Sequence, residues 1–312
     1  MIVFGPVTSR RLGKSLGINH IPPKYCSYSC VYCQVGNTIH KTDQRQSFYD
    51  PDNVYEIVKD KLYQLDQISE GVDYITMVPD GEPALDKNVK ELIIRLKKLG
   101  PPVAIISNGS LMNDENVRNA FLHADWVCVK IDTVDPEVWR KINRPYTHMD
   151  LSDILDGVVA FAKEFSGIFN TETMLVNNLN DSLDIIKDTS RFISRLNPKN
   201  AYLLIPTRPP AESWVQSPDE QNITKVYYMF KENFKQVTLL IDFPSENIRP
   251  TNHLEDELLA ITSVHPLRKE DADRMIKNVK GDSGLINQLL EEKQLKQTSY
   301  RGHTFYVRKF TK

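Results

Sequence analysis

The sequence predicts an α/β fold, a parallel sheet or barrel followed by a small C-terminal block of different character. Three observations predict it. Strand-like and helix-like segments alternate from about Val54 to Ile241. Short polar or glycine-bearing segments follow several of the strands, where α/β barrels present their functional loops. Beyond about Leu254 the alternation stops, and three short helices and a hairpin take over.

Composition narrows the class. The chain has 312 residues, 40% hydrophobic and 26% charged, ordinary for a soluble globular protein with a sizeable core. With 39 basic and 41 acidic residues the net charge is −2, so no global bias towards polyanions exists. No run of ~18 apolar residues is present, so no membrane span is expected. The start, Met1-Ile-Val-Phe-Gly-Pro, lacks the charged and apolar regions of a secretory signal. Clustered free cysteines without such a signal point to a reducing, cytoplasmic location.

Taken in order, the chain first offers a short apolar run, Leu16 to Ile21, ended by Pro22-Pro23, neither of which can donate to a sheet ladder. The cysteine-bearing stretch follows. Asp50-Pro51-Asp52 then starts a helix, continued by Val54, Ile57, Val58, Leu62 and Leu65 at helical spacing. Strands are expected at Tyr74–Val78, Val103–Ser107, Trp126–Ile131, Thr173–Val176, Ala201–Ile205 and Val237–Ile241. Helices are expected at Val89–Lys98, Asn113–Leu122, Leu151–Phe165, Leu183–Leu196 and Ile223–Phe234. Parallel strands need such crossovers, so βαβ units are implied.

In the last block, Leu254–Ile261, a segment from Pro266 and Ser283–Glu292 read as helices, and Thr298–Val307 as a hairpin turning at Arg301-Gly302. This suggests a winged-helix-like module of about 55 residues, near the lower limit for independent folding. Lys293 to Lys312 holds six Lys/Arg and no Asp/Glu, interleaved with Tyr300, Phe305, Tyr306 and Phe310. A basic, aromatic hairpin suits nucleic acid; the competing expectation is that its aromatics pack on the module's own helices.

The chemistry centres on Cys26-Ser-Tyr-Ser-Cys30-Val-Tyr-Cys33, which holds three of the chain's four cysteines. A disulfide framework favours an even set spread along a small secreted chain. A structural zinc site favours four ligands, commonly in two separated pairs. Three thiolates in one tight loop suit an iron–sulfur cluster, with one iron left open to an outside ligand. The strand holding the fourth cysteine adds a second inference. Trp126, Cys128, Lys130 and Asp132 share one face, and aliphatic Val127, Val129 and Ile131 the other. The aliphatic face should meet the helices, which turns Cys128 and Lys130 into the lumen. Cys128 is therefore a candidate hydrogen-atom donor or substrate ligand, against its commoner role as a small buried hydrophobe. Lys130 and Asp132 are candidates for polar contacts to substrate, or for pairing with each other. Arg10, Arg11 and Arg208 could bind an anionic group or stand as solvated surface arginines. His20, His40 and His148 lack metal spacing.

Cys26-x-x-x-Cys30-x-x-Cys33, with Pro79-Asp80-Gly81-Glu82-Pro83, Ser107-Asn108-Gly109-Ser110-Leu111, Lys130-Ile131-Asp132 and Pro206-Thr207-Arg208-Pro209-Pro210 after successive strands, resembles the radical S-adenosylmethionine (SAM) superfamily. The likeness covers roughly Leu16 to Ile241. Ser9-Arg-Arg-Leu-Gly, Pro22-Pro-Lys-Tyr-Cys, Asp80-Gly-Glu-Pro and Lys141-Ile-Asn-Arg-Pro145 resemble the branch of the wyosine-forming tRNA synthases and their short relatives.

That resemblance implies a partial (β/α)6 radical SAM barrel over residues 1–250, with the winged-helix-like domain over 251–312. It implies a [4Fe–4S] cluster on Cys26, Cys30 and Cys33, and SAM chelating the open iron through its amino and carboxylate groups. One-electron reduction then yields methionine and a 5′-deoxyadenosyl radical that abstracts hydrogen from substrate. Asp80, Gly81, Glu82 and Pro83 are implied to hold the SAM amino group; the family's first glycine is Asp80 here. Ser107 and Asn108 suit the SAM ribose or carboxylate, and Tyr32 is read as a platform for adenine. An electron donor such as flavodoxin or ferredoxin is implied. Candidate substrates are tRNA, compatible with the basic hairpin, and a peptide recognised by the terminal module. The absence of cysteines before Cys26 argues against the second cluster of the wyosine synthases, hence against wyosine formation itself. An Fe–S or zinc nucleic-acid-binding regulator is the alternative from another class, and it leaves Asp80-Gly-Glu-Pro unexplained.

Overall fold

A computed structural model of the chain describes residues 2–241, 254–279, 281–282 and 284–309. The chain opens with an antiparallel hairpin of β1 (Val3–Ser9) and β2 (Gly13–Ile18). The apolar run Leu16–Ile21 anticipates only the second strand. Gly5-Pro6 lies inside β1, where the pairing shifts register between Phe4 and Val7, and such irregularities are where a sheet tolerates these residues. Two-residue strands β3 (Tyr25–Cys26) and β4 (His40–Lys41) pair in parallel across the base of the cysteine loop. Helix α1 (Pro51–Gln67) begins where Asp50-Pro51 predicts, with the Asp50 carboxylate accepting from Asp52 N at 2.9 Å.

Alternation then proceeds as β5 (Tyr74–Met77), α2 (Val89–Leu96), β6 (Val103–Ser107), α3 (Glu115–Phe121) and β7 (Trp126–Lys130). Two helices follow, α4 (Pro136–Ile142) and α5 (Leu151–Glu164). The series ends with β8 (Ile168–Met174), α6 (Leu183–Arg195), β9 (Asn200–Leu204), α7 (Glu220–Asn233) and β10 (Val237–Leu240). The sheet order is β1-β2-β5-β6-β7-β8-β9-β10, parallel at every pair from β2 onward. Six strand–helix units therefore precede β10, and the curled sheet is a partial (β/α)6 barrel.

Within the alternating series two elements differ from expectation. Strand β8 starts at Ile168, five residues before Thr173, because its lumen-facing positions include Asn170 and Glu172 and carry no apolar alternation. Helix α4 was absent from the expected set, although Asp135-Pro136 repeats the signal of Asp50-Pro51; Asp135 caps it, accepting from Glu137 N and Val138 N.

The main core lies between sheet and helices, where Val127, Val129 and Ile131 pack with Phe121, Phe161 and Phe230. Full burial of each such side chain contributes roughly 2–3 kcal/mol. A second cluster fills the lumen with Trp126, Cys128, Tyr202 and Leu204, closed from the N-terminal hairpin by Leu12. The two faces of β7 divide as its alternation predicts.

The terminal block holds α8 (Leu254–Val264), β11 (Leu267–Arg268), α9 (Lys269–Asn278), α10 (Leu285–Glu291), β12 (Leu295–Tyr300) and β13 (His303–Arg308). Arg301 and Gly302, both at positive φ, turn the hairpin, and β11 adds a third strand beside β13. The expected boundary at 250/251, the helix start at Ser283 and the aromatic Phe310 lie outside the described residues. Phe305 and Tyr306 are buried, so these two aromatics serve the block's own packing. Its core of Leu258, Ile261, Met275, Leu289 and Tyr306 also takes in Phe4 from β1.

Candidate active site

In a parallel barrel all strands deliver their C-terminal ends to one mouth. Here the segments after β2, β5 and β9, the β1–β2 turn and residues of β7 and β8 themselves surround a cavity of about 280 Å³. Its wall includes the thiols Cys26, Cys30 and Cys33, with Asp80, Lys130 and Arg208 from strand ends. Residues as far apart in sequence as Arg10 and Val264 face the same space.

The cysteine loop is clipped to the segment after α4. Val31 N donates to Ile142 O at 2.9 Å, Ser29 N to Asn143 O at 3.0 Å and Tyr146 N to Ser27 O at 2.9 Å. Cys33 N donates to Cys30 O at 3.0 Å and tightens the final turn. Two amides aim at sulfur: Asn108 Nδ2 at Cys26 Sγ (3.5 Å) and Asn143 Nδ2 at Cys30 Sγ (3.4 Å). Burial pushes all three thiols up, Cys30 to about 12, so these thiols ionise only with a cation to compensate.

Three soft donors facing one cavity, two of them met by amide N–H groups, fit an iron–sulfur cluster in ligand chemistry and surroundings. Among the described residues no three His, Cys, Asp or Glu side chains converge tightly enough for a single ion. Cluster ligands bind separate irons and need no such convergence.

Gly81 explains how the next loop reaches the cysteines. A Cβ built on it would stand 1.7 Å from Tyr25 O, and Glu82 N donates to that same carbonyl at 3.1 Å. The close approach which glycine permits is thus made to the chain's own β3. Asp80 and Gly81 line the cavity. Asp80 is buried, its main chain bonded to Lys24 N and Asn19 Oδ1, and burial lifts its carboxyl to about 7. Glu82, Pro83, Ser107 and Asn108 lie behind the cavity wall. The Glu82 carboxylate accepts from Ser107 Oγ (2.7 Å), Asn108 N (2.7 Å) and Ala84 N (2.9 Å), which ties the two post-strand loops together. Burial raises that carboxyl to about 7 as well.

The cavity floor corrects one expectation. Lys130 and Asp132 do not pair with each other. Lys130 Nζ meets Glu172 Oε1 at 2.8 Å, because Lys130 and Glu172 are register partners on β7 and β8. Asp132 instead accepts from Tyr32 Oη, Asn143 Nδ2 (2.7 Å) and Met174 N (2.9 Å). Tyr32 is nearly buried, and Lys130 Nζ lies 5.0 Å from its ring centroid.

Arg11 is no solvated arginine either: Nη2 meets Glu172 Oε2 at 2.8 Å. Burial would raise Glu172, but Arg11 and Lys130 overcome it and hold the carboxyl at about 2. Cys128 is on the lumen face as alternation predicts, yet it is fully buried, off the cavity wall, with Sγ 3.9 Å from Glu172 Oε2. Glu172 and Asn143 escaped sequence reasoning. A lone acid in a polar strand is legible only through its cross-strand partner, and Asn143 stood unremarked within Lys141-Ile-Asn-Arg-Pro145. His20 is buried, and burial draws it down to about 4. His40 stacks on Tyr25 at 4.4 Å.

A partial barrel with three thiols at its mouth suits an iron–sulfur enzyme. Residues 21–189 match the radical SAM superfamily model, and the chain belongs to that superfamily. More narrowly, it belongs with the UPF0026 proteins. It is 41% identical over 309 residues to UPF0026 protein MJ1312 of Methanocaldococcus jannaschii, covering 98% of this chain and 96% of the relative. A UPF0026 protein of Helicobacter pylori strain 26695 is 31% identical over 280 residues, 87% of this chain and 86% of that one. Among solved structures, TYW1 with a lysine-pyruvate adduct bound superposes at TM-score 0.54 and 18% identity, over 70% of this chain and 74% of that one. A radical SAM methyltransferase from Sphaerobacter thermophilus gives 0.53 at 10% identity, over 74% and 67%. These two likenesses establish the fold. The superfamily works with a [4Fe–4S] cluster and SAM, which are this chain's cofactors. No helix among the described residues is long and apolar enough to cross a membrane.

Proposed function

We propose that Cys26, Cys30 and Cys33 hold the [4Fe–4S] cluster, that SAM lies between it and the Asp80-Gly81 edge, and that the substrate, an RNA, enters the remaining lumen. The observation that carries this reading is the single cavity shared by the three thiols and that edge. When bound, the reduced cluster and SAM supply a 5′-deoxyadenosyl radical that abstracts hydrogen from substrate. The chain's own part is to bind, orient and exclude water. Asn108 and Asn143 donate to ligand sulfurs, which favours the reduced state. Glu82 and Ser107 shape the wall from behind, Asp80 and Gly81 meet the SAM amino group, and Tyr32 lines the same space. Lys130 sets the polarity of the floor, and Asp132 positions Tyr32.

RNA as substrate is supported by the basic hairpin β12–β13, which reaches the cavity's rim. Tyr300 Oη donates to Pro206 O at 3.1 Å, and Lys24 is disfavoured as a cation by burial first and by nearby Lys296 to a lesser degree. A low-potential donor such as flavodoxin or ferredoxin, in a reducing cytoplasm, fits the exposed chemistry of such a cluster.

The test is anaerobic reconstitution to about four irons per chain, reduction with dithionite, addition of SAM, and chromatography for 5′-deoxyadenosine. Formation of 5′-deoxyadenosine, lost in Cys30→Ala, is expected. A fully loaded preparation that leaves SAM intact would overturn the reading. Deuterium transfer from a labelled peptide, with none from RNA, would replace RNA by peptide as the substrate.

A further inference from the structure

We propose that the outer face of α4 and of the turn after the cysteines, carrying Lys41, Arg140 and Lys141, is the docking surface for an acidic one-electron carrier protein. The inference rests on the proposed reading of Cys26, Cys30 and Cys33 as cluster ligands and names the side from which that cluster receives its electron.

On that reading SAM and substrate occupy the cavity, so a carrier reaches the cluster through the wall behind the cysteines. Tyr28, between Cys26 and Cys30 in the chain, meets Trp139 of α4 edge-on with ring centroids 5.9 Å apart, and Trp139 Nε1 donates to Tyr28 Oη at 3.1 Å. Cys26 and Cys30 pack against the same aromatic cluster. Trp139 is followed directly by Arg140 and Lys141, both exposed. Two packed rings therefore join the ligand residues to this surface. Electron tunnelling decays exponentially with distance, which favours such a short route through protein.

The surface also has one sign. From Val138 to Met149 the chain holds Arg140, Lys141, Arg144 and His148 and no Asp or Glu, and residues 34–42 add Lys41 and no acid. Lys41 Nζ donates to Arg144 O at 3.4 Å and Pro145 O at 3.3 Å, which brings the two stretches side by side. Arg144 is paired with Glu212. Lys41, Arg140 and Lys141 make no ion pair among the described residues. The dipole of α4 favours cations at its C-terminal turn, but Lys41 lies outside that helix. Beside Lys41, Ile39 is half-exposed and offers an apolar contact. A small, charge-led surface suits the brief encounters of electron-transfer partners, and its sign selects an acidic one.

The experiment mixes reduced flavodoxin, itself acidic, with the reconstituted, oxidised protein and follows bleaching of the cluster by stopped-flow absorbance. The wild-type rate should rise with flavodoxin concentration and fall as ionic strength rises. Arg140→Glu with Lys141→Glu should slow that reaction about tenfold and change reduction by dithionite far less. Lys41→Glu alone should slow it several-fold, and decides the matter if the double variant fails to fold or to hold iron. Lys90→Glu with Lys98→Glu, the same charge change on exposed residues around α2, should leave the flavodoxin rate unchanged. Equal slowing by both pairs, indifference to the Arg140, Lys141 and Lys41 changes, or failure of flavodoxin to reduce a cluster that dithionite reduces overturns the proposal. An oligoribonucleotide that binds wild type and not the Arg140→Glu, Lys141→Glu variant, with flavodoxin kinetics unchanged, would assign the face to RNA and overturn it too. Iron content on the same preparations separates these failures from failure of the cluster reading, which a wild-type protein retaining no iron would contradict.

Discussion

Glu172 holds Arg11 with one oxygen and Lys130 with the other, both at 2.8 Å, and its removal would strand two cations in the lumen. We predict that Glu172→Gln loses about 3–5 kcal/mol at pH 7, read by urea denaturation. The pH dependence has a definite sign. The Glu172 carboxyl lies at about 2 when folded against an ordinary 4.5, so its contribution is complete above about 4.5 and fades as pH falls towards 2. The stability gap between wild type and Glu172→Gln should therefore close on acidification below 4.5; a gap unchanged at pH 3 would contradict the pairing. Cys128 tests the opposite case, a thiol on the lumen face with no access to the cavity. Cys128→Ala should still form 5′-deoxyadenosine and product, at a stability cost of about 1 kcal/mol. Loss of product with an intact cluster would return Cys128 to the reaction.

At the scale of elements, the cysteine loop is shaped by what it leans on. Asn143, just beyond α4, bonds Asp132 and approaches Cys30 Sγ, and so couples helix, strand end and ligand. Asn143→Ala should lower the midpoint potential of the cluster, measured by redox titration, because a donor to sulfur stabilises the more negative state. The Asp80–Pro83 turn depends on Gly81 in the same way. Gly81→Ala would force a methyl into Tyr25 O and should reduce the iron retained after reconstitution by at least half, with a lowered melting temperature. Legibility differs between these pieces. The cap-and-proline starts of α1 and α4 are local chemistry, readable from Asp50-Pro51 and Asp135-Pro136. Strand β8 is not readable in full, since a lumen with polar lining removes the apolar alternation that marks a strand.

At the scale of the molecule, the terminal block is built into the barrel. Phe4 of β1 belongs to its core, Lys61 of α1 meets Glu257 of α8 at 2.5 Å, and Val264 lines the cavity. A chain ending at residue 250 would expose Phe4 and its neighbours Val7 and Val78. We predict that it melts at least 5 °C below the full chain and aggregates on heating, monitored by calorimetry and light scattering. Unchanged melting would show that the block is dispensable to the barrel.

By itself the sequence determined what depends on near neighbours: helical period, cap residues, the spacing of Cys26, Cys30 and Cys33, and the two faces of β7. Each is a property of a few consecutive residues and their backbone geometry. Tertiary structure alone decided which charges meet. Arg11 and Glu172 are 161 positions apart, and Lys130 and Glu172 are 42. Coulomb attraction follows distance through space, and that distance is set by sheet curvature and strand register, which no local pattern encodes.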